Sequence, residues 1–156
     1  HQNVACSDIV SLQSIIVDLR TTMAAELQDL GASLHYQDTS TPIVGNRTLL
    51  LLLFQNLIEN ALKYRSEKAP EICITAEQSG AQTTVPIADN GRGIPEGQYS
   101  RVFEIFYRID PTVDIEGSGI GLATCRRIVE RHNGKIWCEA NPDGGTTFRF
   151  TLPTAV

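Results

Sequence analysis

The stretch FQNLIENALKY, Phe54 to Tyr64, reads as a helix with two unlike faces. Asn56, Asn60 and Lys63 fall at i, i+4 and i+7 and share one face. Leu53, Leu57, Ala61 and Tyr64, flanked by Phe54 and Ile58, make the other face apolar. An amide oxygen is a hard ligand suited to Mg²⁺, and an ammonium is a ready partner for phosphate. Taken alone, the commoner meaning of such a stripe is the solvated side of an amphipathic helix. The residues around it decide between the two.

At 156 residues, 42% of them hydrophobic and 20% charged, the chain fits one domain, residues 1–156, with a real core. A formal charge of −5 and a pI near 5.1 argue against a nucleic-acid partner and against direct contact with an anionic membrane. The longest apolar run, Leu49 to Phe54, is far short of the roughly 18 residues of a membrane span. No signal-peptide pattern opens the chain, and its start at His1 rather than Met leads us to expect a fragment of a longer protein. Cys6, Cys73, Cys125 and Cys138 form no CxxC pair and no metal-like spacing with the three histidines. They read as small buried thiols in a reducing compartment.

Outward from the central helix, Asn46 is placed to cap its start, and Arg65 to Pro70 forms a polar loop after it. An earlier helix is expected from a cap at Ser7 and Asp8 through Leu30, ended by Gly31. Ser33 to Gln37 reads as a short strand, and Thr39 to Pro42 as a turn. Glu71 to Gln78 and Gln82 to Asp89 read as strands joined at Ser79 and Gly80; Pro86 removes a ladder donor and implies an edge or a bulge. Short helical pieces are expected near Tyr99 to Phe106, and a third helix from about Ile120 to His132, stopping at Asn133-Gly134. The strands Lys135 to Ala140 and Thr146 to Leu152 flank a Pro142–Gly145 turn. The sum is a two-layer α/β sandwich: a mixed, mostly antiparallel sheet of about five strands packed on three helices.

Two glycine clusters complete the pattern. In DNGRGIP, Asp89 to Pro95, Asn-Gly is by itself a hairpin signal, but the second glycine and Ile-Pro exceed what a hairpin requires. A carboxylate at the strand end can accept from an exocyclic amine such as that of adenine, and Gly91 and Gly93 let the backbone come close to a ligand. GSGIGLA, Gly117 to Ala123, leads directly into a helix, whose free N–H groups and dipole suit phosphate. It is neither a Walker loop nor a Rossmann fingerprint.

An Asn-bearing helix, DxGxG, the segment FEIFYR (Phe103 to Arg108) and GxGxGL, in this order, resemble the ATP-binding catalytic domain of sensor histidine kinases. That family shares the Bergerat ATP-binding fold with DNA gyrase, heat-shock chaperone ATPases and mismatch-repair ATPases. RRIVERHNGKIW and GGTTFRFTLP are similar to the family's closing helix and strands, and the details look most like phytochrome-type and PAS- or GAF-linked kinases.

The resemblance implies roles. Asn60 would hold Mg²⁺ with Asn56 in the same shell, and Lys63 and Tyr64 would contact phosphates or frame the nucleotide. Asp89 would read the adenine amine, with Gly91 and Gly93 beneath the base. Arg108 would reach the terminal phosphate, Gly117, Gly119 and Gly121 would wrap the phosphates, and Tyr107 to Glu116 would form a lid. Ile94 and Leu122 would line the site or belong to the core. ATP-hydrolysing relatives usually carry a glutamate one turn before the Mg²⁺ asparagine. Here that place is Asn56, no useful base, and Glu59 is at the wrong offset, so transfer to another nucleophile is favoured over hydrolysis.

That nucleophile, in the family, is a histidine on a preceding helical hairpin. His1, His35 and His132 do not match its setting and read as surface or helix-end residues. The implied partners are therefore a phosphoacceptor histidine domain of the same protein or dimer, and a response regulator downstream. The implied location is cytoplasmic, whether or not the parent protein is anchored to a membrane. Two other readings share these boxes: a degenerate nucleotide-binding scaffold, and a serine kinase of the anti-sigma or mitochondrial dehydrogenase-kinase type.

Overall fold

The computed structural model describes residues 6–37, 42–105, 107 and 120–155. It is a two-layer α/β sandwich, as expected. Its main sheet runs β2 (Ser33–Tyr36), β4 (Glu71–Ile74), β6 (Gln82–Asp89), β8 (Thr146–Pro153), β7 (Ile136–Ala140), with β5 (Glu77–Ser79) also on β6. Only β2 and β4 pair in parallel; the remaining pairs are antiparallel.

Alternation decides which face is buried. Val85 and Ile87 of β6 and Phe148, Phe150 and Leu152 of β8 turn inward, while Cys73, Trp137 and Glu139 lie on exposed positions. Onto the inner face pack α1 (Leu12–Thr22), α3 (Arg47–Lys63) and α4 (Gly121–Arg131), while α2 (Ala24–Asp29) continues from α1 and lays half-buried Leu27 against the core. Phe54 of α3 meets Phe150 edge-on at 5.4 Å between ring centroids.

Several local expectations change. The first helix does not start at Ser7 and Asp8, because Asp8–Ser11 forms a strand, β1, paired with β3 (Pro42–Gly45), which the sequence reading did not foresee. Ser11 is the cap instead, its hydroxyl accepting from Ser14 N at 3.2 Å. The helix also breaks at buried Met23 (φ −100°, ψ 13°), which splits it into α1 and α2. The main sheet thus has six strands rather than about five, beside a separate two-stranded sheet. The described residues form four helices rather than three.

Pro86 is buried at an interior position, not at an edge, and register is the same on either side of it: Ile74 faces Ile87, and Glu77 faces Thr84. Its carbonyl accepts from Thr75 N at 3.2 Å, but it has no N–H to return. The ladder lapses there, so the expected single strand Glu71–Gln78 appears as β4 and β5. Of the cysteines, Cys125 and Cys138 are buried, but Cys73 is exposed and Cys6 half-buried; none is in a disulfide. No helix among the described residues is long and apolar enough to cross a membrane.

Candidate active site

Helix α3 is the site's backbone. Asn46 caps it, Oδ1 accepting from Leu49 N at 2.9 Å. Leu50, Leu53, Phe54, Leu57, Ile58 and Ala61 are buried. The opposite stripe runs from half-buried Asn56 and Asn60 to exposed Lys63. Tyr64 closes the helix, its N–H donating to the Asn60 carbonyl at 3.1 Å.

The first glycine cluster is stitched to that helix end. The Tyr64 carbonyl accepts from Arg92 N at 3.0 Å. A Cβ on Gly91 would lie 2.5 Å from the same oxygen, so only glycine fits. Asn90 holds the loop from the other side: its Oδ1 accepts from Glu71 N at 2.9 Å and its Nδ2 donates to the Ala69 carbonyl at 3.1 Å.

Asp89 ends β6 half-buried. Its Oδ1 accepts from Gly91 N at 2.9 Å and from Thr146 N at 3.1 Å, while Oδ2 makes no hydrogen bond among the described residues. Burial pushes the carboxyl up from its ordinary value, and the two amide bonds partly oppose that. Its main-chain carbonyl accepts from Asn141 Nδ2 at 2.8 Å. A Cβ on Gly145 would stand 2.1 Å from that carbonyl oxygen, at a φ of +93°. Asn141, Gly145 and Thr146 escaped the sequence reading, in which the second glycine and the threonine passed for an ordinary hairpin turn.

The second cluster reaches α3 one turn before Asn60. Asn56 Nδ2 donates to the Gly121 carbonyl at 3.5 Å, the outer limit of a hydrogen bond. Gly121 opens α4, and Ile120 gives it no side-chain cap. The first amides of a helix have no carbonyl behind them, so those of Gly121, Leu122 and Ala123 carry the positive end of the dipole. A Cβ on Gly121 would meet nothing within 4 Å among the described residues, so no protein contact there requires glycine.

The structure thus gathers Asn56, Asn60, Lys63, Tyr64, Asp89, Gly91 and Gly121 around the C-terminal half of one helix. Gly93 (φ +83°) follows the loop around. Ile94 and Leu122 are half-buried and packed against the core. Arg108, Gly117, Gly119 and the lid beyond Tyr107 lie outside the described residues, and so does His1. Tyr107 itself bonds through its hydroxyl to the Gln98 side chain, and the Arg101 guanidinium stands 4.8 Å over its ring. Phe103 is buried edge-on to Phe148. His35 is exposed on β2, whereas His132, at the helix end, is fully buried.

Among the described residues, no cluster of three or more His, Cys, Asp or Glu side chains could hold a metal by itself. A divalent ion at this site would take amide oxygens from the α3 stripe together with oxygens of a bound phosphate chain. That donor set suits Mg²⁺, which keeps few protein ligands.

Residues 45–156 match the family model described as histidine kinase-, DNA gyrase B-, and HSP90-like ATPase. The chain is 40% identical over 143 residues to cyanobacterial phytochrome A of Nostoc sp., covering 92% of this chain and 18% of that protein. It is 36% identical over 145 residues to the methanogenesis regulatory histidine kinase FilI of Methanothrix harundinacea, with 92% of this chain and 16% of that protein covered. The chain therefore spans less than a fifth of the length of these curated relatives. Among solved structures, the catalytic domain of histidine kinase ThkA superposes with a TM-score of 0.81 at 25% identity, over 94% of this chain and 95% of that one. Full-length ShkA in complex with AMPPNP superposes at 0.84 and 21% identity, over 100% of this chain and 33% of that one, a likeness of fold.

Proposed function

The chain belongs to the histidine kinase-, DNA gyrase B- and HSP90-like ATPase family, and from that premise we propose that residues 1–156 form one catalytic domain that binds Mg-ATP and donates its γ-phosphoryl group to a histidine on a separate domain. The observation that carries the reading is the convergence of both glycine clusters on α3: Tyr64 O with Arg92 N at one end, and Asn56 Nδ2 with Gly121 O one turn before Asn60.

In this reading Asp89 recognises the base. With both amides on Oδ1, Oδ2 is left to accept from the 6-amino group of adenine. Gly91, Gly93 and Gly145 keep side chains out of the base's way, and Ile94 and Leu122 line the site. Asn60 and Asn56 are the Mg²⁺ ligands, and Lys63 and Tyr64 face the phosphates. Arg108 meets the terminal phosphate, and Gly117, Gly119 and Gly121 wrap the chain of phosphates. Bound Mg²⁺ would supply charge neutralisation on the phosphate oxygens. This chain's own work is positioning and electrostatic complementarity. With Asn56 where a general base would stand, water is not activated, and the phosphoryl group waits for an imidazole.

The acceptor is proposed to lie on a phosphoacceptor domain of the same protein or dimer, serving a response regulator in turn. ThkA, solved in complex with the response regulator protein TrrA, supports the partner class. His132 is unsuited to the role because it is buried with both ring nitrogens engaged. A cytoplasmic location goes with these partners.

Calorimetric titration of the chain with AMPPNP, with and without Mg²⁺, tests the reading. Mg²⁺-dependent binding is expected. A folded chain that binds no nucleotide would favour the scaffold reading instead.

A further inference from the structure

His132 sits at the end of α3 and α4 remote from the asparagines, and the proposed function makes no use of it. Its ring is 1% exposed. Nε2 accepts the N–H of Asn46 at 3.0 Å, and Nδ1 stands 2.8 Å from the Ile128 carbonyl. An amide N–H only donates and a carbonyl only accepts, so the ring carries its proton on Nδ1 and offers a lone pair at Nε2. Gly45 makes room for it, since a Cβ there would come within 2.9 Å of ring atoms Cδ2 and Nε2. One side chain thus ties the last turn of α4 to the cap of α3.

Two more contacts lie along the same helix pair. Cys125 Sγ faces the Leu53 carbonyl at 3.8 Å, and Asn56 Nδ2 faces the Gly121 carbonyl at 3.5 Å. Read from Asn46 to Leu53 to Asn56, the partners are His132, Cys125 and Gly121, so the helices run antiparallel in steady register. Asn46 and Asn56 are separated by about 15 Å of helix rise. The two contacts near the site are long, whereas the bond by which His132 crosses to Asn46 is short at 3.0 Å, and its other bond, to Ile128 within α4, holds the ring. Among the described residues, the shortest polar contact between α4 and α3 is therefore at the far end of α4.

We infer that His132 is a positioning residue for the nucleotide site, resting on the reading of that site given above. It sets how far α4 runs along α3, and so where the Gly121, Leu122 and Ala123 amides stand against Asn56 and Asn60. A helix is stiff along its axis, so a displacement at His132 reaches Gly121 as a translation. A shift of about 1 Å between groups that must act together costs up to roughly a hundredfold in reaction rate, and the same shift lengthens the hydrogen bonds that the amides offer a bound phosphate.

The test compares His132→Phe, which keeps a ring but loses both nitrogens, with Gly45→Ala, which keeps His132 and pushes its ring. Val10→Ala, in the buried part of β1, controls for lost stability. Two readouts are taken on the whole chain: Mg-AMPPNP affinity by calorimetry, and the ¹H–¹⁵N amide shifts of Gly121, Leu122 and Ala123. The first two variants are expected to weaken AMPPNP about tenfold, roughly the worth of one hydrogen bond to a charged group, and to move those amide signals, and Val10→Ala to do neither. Wild-type affinity and unmoved signals in His132→Phe overturn the inference, as does an equal loss in Val10→Ala. If His132→Phe does not fold, Gly45→Ala decides by the same criteria. If the wild-type chain binds no AMPPNP, the site reading fails on its own, and the amide signals still decide whether His132 fixes α4.

Discussion

Asp89→Asn keeps the shape of the side chain and the Oδ1 acceptor that takes the Gly91 and Thr146 amides at 2.9 and 3.1 Å. What changes is the other terminal atom, which turns from an anionic acceptor into an N–H donor. Two consequences run in opposite directions. Burial raises the Asp89 carboxyl above its ordinary value, so the native state holds that proton more tightly than the unfolded chain does. The stabilisation this gives is present at low pH and is lost as pH rises through the native value, which leaves the ionised carboxylate a burden on the fold at neutral pH. The amide removes the burden, so the nucleotide-free chain should melt at the same temperature as wild type or higher. Binding should suffer instead. A hydrogen bond to a charged group is worth about 1.5–3 kcal/mol, and the new donor faces the donor of adenine, so affinity for ATP should fall roughly ten- to a hundredfold. Guanine presents an acceptor at the same position, so GTP should lose much less. Thermal unfolding without nucleotide, followed by titration with ATP and GTP analogues, reads both effects. A lower melting temperature with unchanged ATP affinity would refute the reasoning, because Asp89 would then be a structural carboxylate and not the base reader.

Asn60→Ala, which removes the amide oxygen, should abolish Mg²⁺-dependent AMPPNP binding while leaving the circular dichroism spectrum unchanged; preserved binding would remove Asn60 from the metal. Gly145→Ala forces a Cβ to within 2.1 Å of the Asp89 carbonyl at a φ of +93°. It should cost about 1–3 kcal/mol in urea unfolding and weaken nucleotide binding as well. Burial pushes the Cys125 and Cys138 thiols up to about 12, the Glu139 charge adding to the effect at Cys138. At pH 8 neither should be alkylated in the native protein while exposed Cys73 is, which peptide mass spectrometry resolves. Rapid labelling of Cys125 would mean that the α3–α4 contact opens readily.

Where the sequence was legible, local chemistry and tertiary structure asked for the same thing. Asn46 caps α3, the apolar period over Leu50–Ala61 is the face that packs, and Gln82–Asp89 appears as a strand with the expected ends. The start of the chain shows the opposite case. Ile9, Leu12, Ile15, Ile16 and Leu19 fit a helical period, yet Ile9 is 75% exposed and Val10 is the buried neighbour. The strand there depends on pairing with Ile43 and Val44, far along the chain, and no local period records that. Pro86 follows the same logic: the lost donor was readable, but its accommodation inside the sheet depends on Thr75 opposite.

The site divides along the same line, and the division has an energetic consequence. The groups proposed to touch nucleotide were legible because their chemistry is unusual for their setting: amides on a core helix, a carboxylate at a strand end, glycines in excess of a turn. The groups that hold them were not legible. Asn141, Gly145 and Thr146 reach Asp89 from β8 and its turn, Tyr64 serves through its main chain, and His132 acts from the far end of a helix pair. The end proposed to hold the base is fixed by several short bonds converging on residues 89–92, so losing one leaves the others to hold the geometry. At the end proposed to hold the phosphates, the described polar contacts between α4 and α3 are long, 3.5 Å at Gly121 and 3.8 Å at Cys125, and the register of α4 does the rest. Substitutions that support the base end should therefore change affinity in proportion to the contact removed. Those that shift α4 should change it more steeply, since among the described residues only long polar contacts and the packing of Ala123 and Cys125 hold the amides in place at that end.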